Sequence, residues 1–128
     1  MVIWITGRKG SYKTTTANRI AQKYRKQGKS VLVLDGDELR SHFPCDFSDE
    51  GRRENILRVA HIAAIAEAQG IIVICALISP KKIWRQEARK LFKMSYLIYL
   101  QGGYLWPGTN YEEPVDEENI LHTVELLL

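Results

Sequence analysis

The sequence has few cysteines and no long apolar run. Cys45 and Cys75 are the two cysteines among its 128 residues, and they lack the C-x-x-C spacing of a zinc or redox motif. This usage favours a reducing compartment and argues against a structural zinc site. The longest apolar run, Ile71–Ile78, has eight residues and is too short to cross a bilayer. The apolar stretch at the N-terminus is too short for a signal peptide, so we expect a cytoplasmic protein without membrane contact.

A large excess of one charge is also lacking. Eighteen basic and fifteen acidic residues leave a formal net charge of +3, and the segment Glu112–Glu118 is acidic. A mild balance of this kind fits a small anionic ligand and disfavours a nucleic-acid partner. The length and the 45% hydrophobic content are typical of one globular domain, which we assign to residues 1–128.

Strand-like and helix-like segments alternate along the chain. Short apolar runs predict strands at Val2–Thr6, Val31–Leu34, Ile71–Ile78 and Tyr96–Leu100. Apolar spacing with glycine stops predicts helices at Thr14–Gln27, Gly51–Gln69, Ile83–Phe92 and Asp116–Leu126. This order predicts an α/β fold with a parallel sheet of about four to five strands and helices on both faces.

Polar segments follow every predicted strand at its carboxyl end. These segments are Gly7–Thr15, Asp35–Asp37, Ser79–Lys82 and the glycine- and proline-containing loop Gln101–Tyr111. The carboxyl ends of parallel strands lie at one edge of the sheet, where such folds bind their ligands. The sequence therefore predicts one shared site at this edge.

The segment Gly7–Thr15 has the layout of a phosphate-binding loop. It joins an apolar strand to a helix that opens with Lys13 and Thr14. Backbone N–H groups and a helix N-terminus form an anion cradle, to which the lysine adds charge and the threonine hydroxyl a ligand for Mg²⁺. Tyr12 stands where the usual pattern has glycine, so either the loop shifts or the ring points away. An ordinary strand-to-helix turn is the alternative.

Asp35 and Asp37 flank a glycine at the end of the second predicted strand. Beside a phosphate site, one carboxylate can hold Mg²⁺ and the other can orient or deprotonate an attacking hydroxyl. The alternative is an Asp-Gly turn in which Asp37 caps the next segment.

Basic and aromatic residues follow the two aspartates. Arg40 and Arg52 can bind phosphate or sulfate oxygens through their guanidinium forks, and Asn55 lies beside them in sequence. Phe43 and Phe47 border this region and can stack on a base. A solvated helix face is the alternative for the arginines, and core packing is the alternative for the phenylalanines.

Together these motifs resemble those of adenylylsulfate kinase. The shared stretches are Ile3–Gly7, Lys13–Thr15, Asp35–Arg40, Phe47–Ser48, Arg52–Ile56, Ile78–Pro80, Arg85 with Ala88–Arg89, and Gly108–Thr109 with Tyr111–Pro114. The resemblance implies a three-layer P-loop nucleoside-kinase-like fold. It implies an enzyme of sulfate assimilation that transfers the γ-phosphate of MgATP to the 3′-hydroxyl of adenosine 5′-phosphosulfate. Family members are often dimers, which leaves a homodimer open.

The resemblance also implies roles for single residues. The ATP phosphates would be bound by Gly7, Arg8, Lys9, Gly10, Ser11, Tyr12, Lys13, Thr14 and Thr15. The acceptor would be bound by Asp35, Asp37, Arg40, Phe47, Arg52, Asn55, Ile78, Ser79 and Lys82. Lys13, Asp37 and Ser79 would be catalytic, with Asp37 as the base and Ser79 at the position of a phosphoserine. Thr14 and Asp35 would hold Mg²⁺. For Ser79, plain helix capping is the alternative.

Three features depart from the family pattern. Tyr12 replaces a glycine, Lys81 and Lys82 replace a Tyr-Arg pair, and no basic lid segment follows the fourth predicted strand. A lid excludes water and adds cationic charge at the transferring phosphoryl group. We hypothesise that Arg8, Lys9, Lys81 or Lys82 supplies part of that charge.

The departures leave other functions open. One is a nucleotide-binding module that has lost turnover, and another is a kinase for a different nucleotide-like hydroxyl. A third is a slow ATPase, because a site without a lid lets water compete with the hydroxyl.

Overall fold

The computed structural model describes residues 1–105 and 110–121. Its strands are β1 (Val2–Gly7), β2 (Val31–Asp35), β3 (Ile72–Ala76), β4 (Ser95–Leu100) and β5 (Ile120–Leu121). Its helices are α1 (Lys13–Lys26), α2 (Gly36–His42), α3 (Asp49–Ala68) and α4 (Lys82–Arg89). The five strands form one parallel sheet in the order β2-β3-β1-β4-β5, which confirms the predicted α/β class.

Strand β1 lies in the middle of the sheet and is buried on both faces. Val2 and Trp4 point into the core layer that also contains the buried residues of α3 and α4. Ile3 and Ile5 point into the opposite layer, against α1. Successive side chains of a strand alternate between faces, so the continuous apolar run separates two cores and gives a three-layer domain.

Helix α2 is absent from the sequence prediction, which offered an Asp-Gly turn at Asp35-Gly36-Asp37 only as the alternative to a functional pair of carboxylates. Asp35 is the N-cap of this helix, and its Oδ1 accepts hydrogen bonds from the backbone N–H groups of Asp37 and Glu38 at 2.8 and 3.4 Å. The cap is therefore Asp35, and the alternative in which Asp37 caps the segment is wrong. An aspartate at the N-cap satisfies N–H groups that would otherwise lack partners.

The predicted helix Asp116–Leu126 is wrong over its described part. Residue 116 lies in a bend and residues 118–119 in a turn, and Ile120 and Leu121 pair with β4 as strand β5. Residues 122–126 lie outside the described residues. Asn119 has a left-handed φ of 53°, and its carbonyl accepts a hydrogen bond from Leu97 N at 3.0 Å. Edge pairing to β4 thus replaces helical hydrogen bonds here.

Arg85 fixes the segment that leads to β5. Its guanidinium is fully buried, forms an ion pair with Glu117 at 3.1 Å, and donates to the carbonyl oxygens of Ser79 and Glu112 at 2.7 and 2.6 Å. A buried charge of this kind is tolerated because it is paired and hydrogen-bonded. Within the described residues, no helix is long and apolar enough to span a membrane.

Glu67 gives the fold a pH-sensitive contact at the start of the sheet. Burial by itself would raise the pKa of Glu67, but the N–H groups of Lys93 and Met94 and the amino group of Met1 hold that pKa below its usual range. A lowered folded pKa stabilises the protein above the unfolded pKa of about 4.3, and this contribution is lost as the pH falls through the folded value.

We therefore expect Glu67→Gln to lower the free energy of unfolding by about 1–3 kcal/mol at pH 7. The difference from the parent should shrink below about pH 4. Urea unfolding at both pH values measures this, with Glu118→Gln at an exposed site as the control. A difference that is independent of pH would contradict the assigned pKa direction.

Candidate functional site

A cavity of about 530 Å³ opens at the carboxyl edge of the sheet, where polar segments were predicted to converge. Its described lining comes from the loop after β1, the start of α1, the end of β2, the end of β3 with the segment that follows it, α2, the segment between α2 and α3, α3 itself and two residues after β4. These residues are Lys9, Gly10, Tyr12, Lys13, Thr14, Thr15, Asp35, Gly36, Asp37, Arg40, Phe47, Arg52, Asn55, Ile56, Ala76, Leu77, Ile78, Ser79, Pro80, Tyr104 and Leu105. One cavity thus joins the candidate phosphate loop to most of the candidate acceptor residues.

The loop between β1 and α1 is tightly turned. A Cβ atom on Gly7 would lie 2.7 Å from both Leu100 O and Ser11 Oγ, so the chain can pass here only as glycine. The Arg8 carbonyl then accepts hydrogen bonds from Ser11 Oγ and Lys13 Nζ, both at 2.7 Å. The lysine ammonium therefore lies on the inner side of the turn, beside the N-terminus of α1, where an anion would bind.

The Lys13 ammonium is partly buried and lies near the carboxylates of Asp35 and Asp37, and these two factors affect its pKa in opposite directions. Burial lowers the pKa of Lys13, and Asp37 and Asp35 act in the opposite direction by favouring the ammonium form. An incoming phosphate would act in the same sense as the two aspartates and would favour the ammonium form.

Tyr12 occupies the N-cap of α1 in the left-handed conformation, with φ 67° and ψ 33°. Its ring is 76% exposed. This exposure fits the alternative in which the ring points away, and Tyr12 nevertheless belongs to the cavity lining. The backbone keeps the conformation that glycine normally supplies, at a cost of about 1–2 kcal/mol.

Asp35 and Thr14 form a second polar centre next to Lys13. Thr14 Oγ1 donates to Asp35 Oδ2 at 2.7 Å, while Asp35 Oδ1 caps α2. One carboxylate thus joins the first turn of α1 to the first turn of α2. The hydroxyl and the carboxylate oxygen are hard ligands of the kind that Mg²⁺ prefers. Among the residues that the structure describes, no group of three or more histidine, cysteine or acidic side chains forms a metal cluster.

Asp37 lies in the first turn of α2 and is exposed to the cavity. It is near enough to Lys13 to influence the pKa of that lysine. Because Asp35 makes the capping bonds, the carboxylate of Asp37 is left to face the cavity.

An arginine, a phenylalanine and an asparagine line the far side of the cavity. The Arg40 guanidinium lies 4.3 Å from the centroid of the Phe47 ring, and that ring is 62% exposed. Asn55 is buried, and its Nδ2 donates to Gly36 O at 3.3 Å. Within the described residues, Arg40 Nε and Asn55 Oδ1 are buried without a hydrogen-bond partner. Arg52 also lines this side.

Ser79 lies in the lining, but its hydroxyl is turned inward. Ser79 Oγ accepts a hydrogen bond from Trp4 Nε1 at 3.1 Å and donates to Thr6 Oγ1 at 3.0 Å. The residue is 2% exposed and has a left-handed φ of 41°. A hydroxyl held in this way joins β1 to the segment that follows β3, and its burial argues against phosphorylation.

Of the four residues named as substitutes for lid charge, Lys9 alone lies in the described lining. Arg8 donates to Tyr99 Oη and Glu113 Oε1 at 3.0 and 3.4 Å, and Lys81 Nζ pairs with Asp49 Oδ2 at 2.8 Å. Lys82 donates its backbone N–H to Glu112. Gly7 and Ser11 also support the loop from outside the described lining.

Sequence reasoning missed Tyr104, which lines the cavity beside the phosphate loop. Its backbone forms an antiparallel bridge with Lys9. The signal was the pair Gly102-Gly103, because a Cβ on Gly103 would lie 2.3 Å from Lys9 O. Gly108 and Thr109 of the family pattern lie outside the described residues.

The left-handed backbone of Tyr12 leads to a stability prediction. Tyr12→Gly should raise the free energy of unfolding by about 1 kcal/mol, because glycine adopts positive φ without a Cβ penalty. Tyr12→Ala is the matched control, since it removes the exposed ring but keeps the Cβ. Denaturant unfolding of both variants tests this, and equal stability of the two would refute the proposed strain.

Comparison with known proteins supports the family resemblance. The sequence model of the adenylylsulphate kinase family matches residues 1–103. A probable adenylyl-sulfate kinase of Bacillus subtilis is 47% identical over 92 residues, which are 70% of this chain and 47% of that protein. The adenylyl-sulfate kinase of Burkholderia ambifaria is 35% identical over 151 aligned residues, covering 97% of this chain and 83% of that protein. Since 151 exceeds 128, that relative has residues within the aligned region that this chain lacks.

Solved structures agree with the sequence comparison. The Mycobacterium tuberculosis APS kinase in complex with AMPPNP and APS superposes with a TM-score of 0.74 at 32% identity, over 78% of this chain and 61% of that one. A hexameric APS kinase from Thiobacillus denitrificans gives 0.80 at 27% identity, over 96% and 25%. The chain spans about half the length of the Bacillus subtilis protein and of two further curated relatives. With four-fifths of its length matched by the family model, this chain belongs to the adenylylsulphate kinase family.

Proposed function

We propose that this chain transfers the γ-phosphate of ATP to the 3′-hydroxyl of adenosine 5′-phosphosulfate. The observation that supports this most directly is the single cavity that contains both Lys13 with the N-terminus of α1 and Asp37 with Arg40 and Phe47. A phosphate cradle and an acceptor pocket in one cavity suit transfer between two bound molecules. Relatives named adenylyl-sulfate kinase, and a similar structure that holds AMPPNP and APS, support the choice of substrates.

Mg²⁺ fits this arrangement as a cofactor. Thr14 Oγ1 and Asp35 Oδ2 are the oxygen atoms that would hold it, beside Lys13. Mg²⁺ usually takes one or two protein ligands and completes its shell with water and substrate phosphates. When bound, it would neutralise charge on the β- and γ-phosphates.

The chain's own groups account for each part of the proposed reaction. Asp37 accepts the proton of the 3′-hydroxyl as its oxygen forms a bond to the γ-phosphorus. The bond between that phosphorus and the β,γ-bridging oxygen breaks, and ADP leaves. Lys13, released from the Arg8 carbonyl, neutralises charge on the phosphoryl oxygens during this transfer.

The acceptor would lie on the α2 and α3 side of the cavity. Arg40 and Arg52 suit the phosphosulfate group, because guanidinium forks bind such oxygens in pairs. Phe47 offers an exposed face for the adenine, and the Arg40 guanidinium already packs on that ring. The unpartnered Arg40 Nε and Asn55 Oδ1 provide a buried donor and acceptor for the bound molecule.

Product formation tests this function. MgATP and adenosine 5′-phosphosulfate are incubated with the parent chain, Lys13→Ala and Asp37→Asn, and the nucleotides are separated by chromatography. The parent should form ADP and 3′-phosphoadenylyl sulfate in equal amounts. Loss of the base or of the phosphoryl-binding cation should lower turnover by about 10²–10⁴-fold.

The other outcomes identify the alternatives. ADP without the sulfonucleotide product would indicate a slow ATPase, which the exposure of Asp37 to solvent favours. ATP binding without turnover would indicate a nucleotide-binding module, and either result would contradict the proposed reaction.

Ser79 separates direct transfer from a phosphoserine route. Ser79→Ala should lower the free energy of unfolding by about 1–3 kcal/mol, because Trp4 Nε1 loses its buried acceptor. Turnover per folded molecule should fall far less than in Asp37→Asn. Mass spectrometry after incubation with ATP should find no phosphate on Ser79, whereas a phosphoserine that forms and decays with turnover would contradict direct transfer.

A further inference from the structure

The segment Gln101–Leu105, here called the strap, folds from the end of β4 onto the phosphate loop. Lys9 N donates to Tyr104 O at 3.0 Å, and Tyr104 N donates to Lys9 O at 2.8 Å. Gly103 precedes this pair with φ 76°, and a side chain there would meet Lys9 O. The strap is therefore held to the loop by its backbone, which leaves the Tyr104 side chain available for other contacts.

The ring of Tyr104 lies over Gly10 at the mouth of the cavity. A Cβ built on Gly10 would be 3.4 Å from Tyr104 Cε1, so the ring and the loop are in close proximity. The ring is nevertheless 57% exposed and belongs to the cavity lining. An aromatic face that is fixed by its backbone and open to a ligand cavity is suited to stacking on a planar group.

The sheet order decides which planar group can reach this ring. Phe47 and Asp37 follow β2, on one side of β1, whereas Tyr104 follows β4, on the other side. The transferred phosphate must face Asp37 on the β2 side. The nucleoside end of the donor must therefore extend from the phosphate loop away from the β2 side. On the β4 side, the described residues that line the cavity are Tyr104 and Leu105.

We propose that Tyr104 stacks on the purine base of the donor nucleotide and so positions ATP over the phosphate loop. This inference deepens the proposed function and rests on its phosphate-binding part. In this arrangement the strap, which directly follows β4, contacts the base of the bound ATP. Stacking of a base on an aromatic side chain contributes about 1–3 kcal/mol, which corresponds to roughly a 5- to 150-fold change in the dissociation constant.

Direct binding of two ligands tests the proposal without reference to turnover. Isothermal titration calorimetry with Mg²⁺ present measures the dissociation constants of ATP and of inorganic triphosphate, which has no base. The proteins are the parent, Tyr104→Ala, Tyr104→Phe and Phe43→Ala. Phe43 is a matched control because its ring is also partly exposed but packs on Arg58 and is not in the described cavity lining.

Tyr104→Ala should weaken ATP by about tenfold and leave triphosphate affinity unchanged, and Tyr104→Phe should restore ATP affinity. Equal losses for both ligands would overturn the proposal, because Tyr104 would then act only by supporting the loop. Unchanged ATP affinity in Tyr104→Ala would also overturn it. If the parent protein has equal dissociation constants for triphosphate and ATP, the base contact is refuted but the proposed function is not. If the parent binds neither ligand, the proposed function is refuted as well.

Discussion

The burial of β1 on both faces is the constraint on which the rest of this structure depends. Val2 to Ile5 fill two separate cores, and the strand pairs in fixed register with β3 over these four residues and with β4 along its whole length. This pairing fixes the position of Gly7 at the carboxyl end of β1. At that position Leu100 O and Ser11 Oγ leave no room for a side chain. The phosphate loop is therefore placed by packing that lies beneath it, and its own sequence can tolerate Tyr12 at a glycine position.

The Asp35 carboxylate connects helices α1 and α2 at the site through hydrogen bonds. Asp35 uses one oxygen to cap α2 and the other to accept from Thr14 in α1. Because Asp35 makes the capping bonds, the carboxylate of Asp37 in the first turn of α2 is left exposed to the cavity. The two aspartates of the Asp-Gly-Asp motif thus have different environments, because Asp35 caps the helix whose first turn contains Asp37.

The region after β4 is arranged differently from the lid expected of the family. The strap pairs with Lys9, while Arg85 anchors the following segment through Glu117 and the carbonyls of Ser79 and Glu112. Beneath the loop, Arg8 packs 4.9 Å from the Tyr111 ring centroid, and Tyr111 shares a 2.7 Å hydrogen bond with Thr6. Burial raises the pKa of Tyr111 to about 12, so this phenol stays neutral. The loop is thus supported from both sides by residues that follow β4.

The sequence by itself determined the layers and the position of the site. A buried-type run before Gly7 and strand–helix alternation are enough to predict a parallel sheet, since such runs need cover on both faces. The resemblance then assigned candidate roles to Lys13, Asp35, Asp37 and Arg40, and all four line one cavity. Local sequence patterns could predict these features because they depend on hydrophobic periodicity and on motifs of a few neighbouring residues.

Tertiary structure alone decided the contacts that depend on distant neighbours. Residues 116–121 were predicted to be helical, yet Ile120 and Leu121 pair with β4 at the sheet edge, and Glu117 forms a buried ion pair with Arg85. Ser79 looked like a reactive serine, but its partners Trp4 and Thr6 lie more than seventy residues away in sequence. Tyr104 gained its place beside Gly10 from a backbone bridge to Lys9. None of these partners is encoded by local spacing, because each depends on which strands the fold brings side by side.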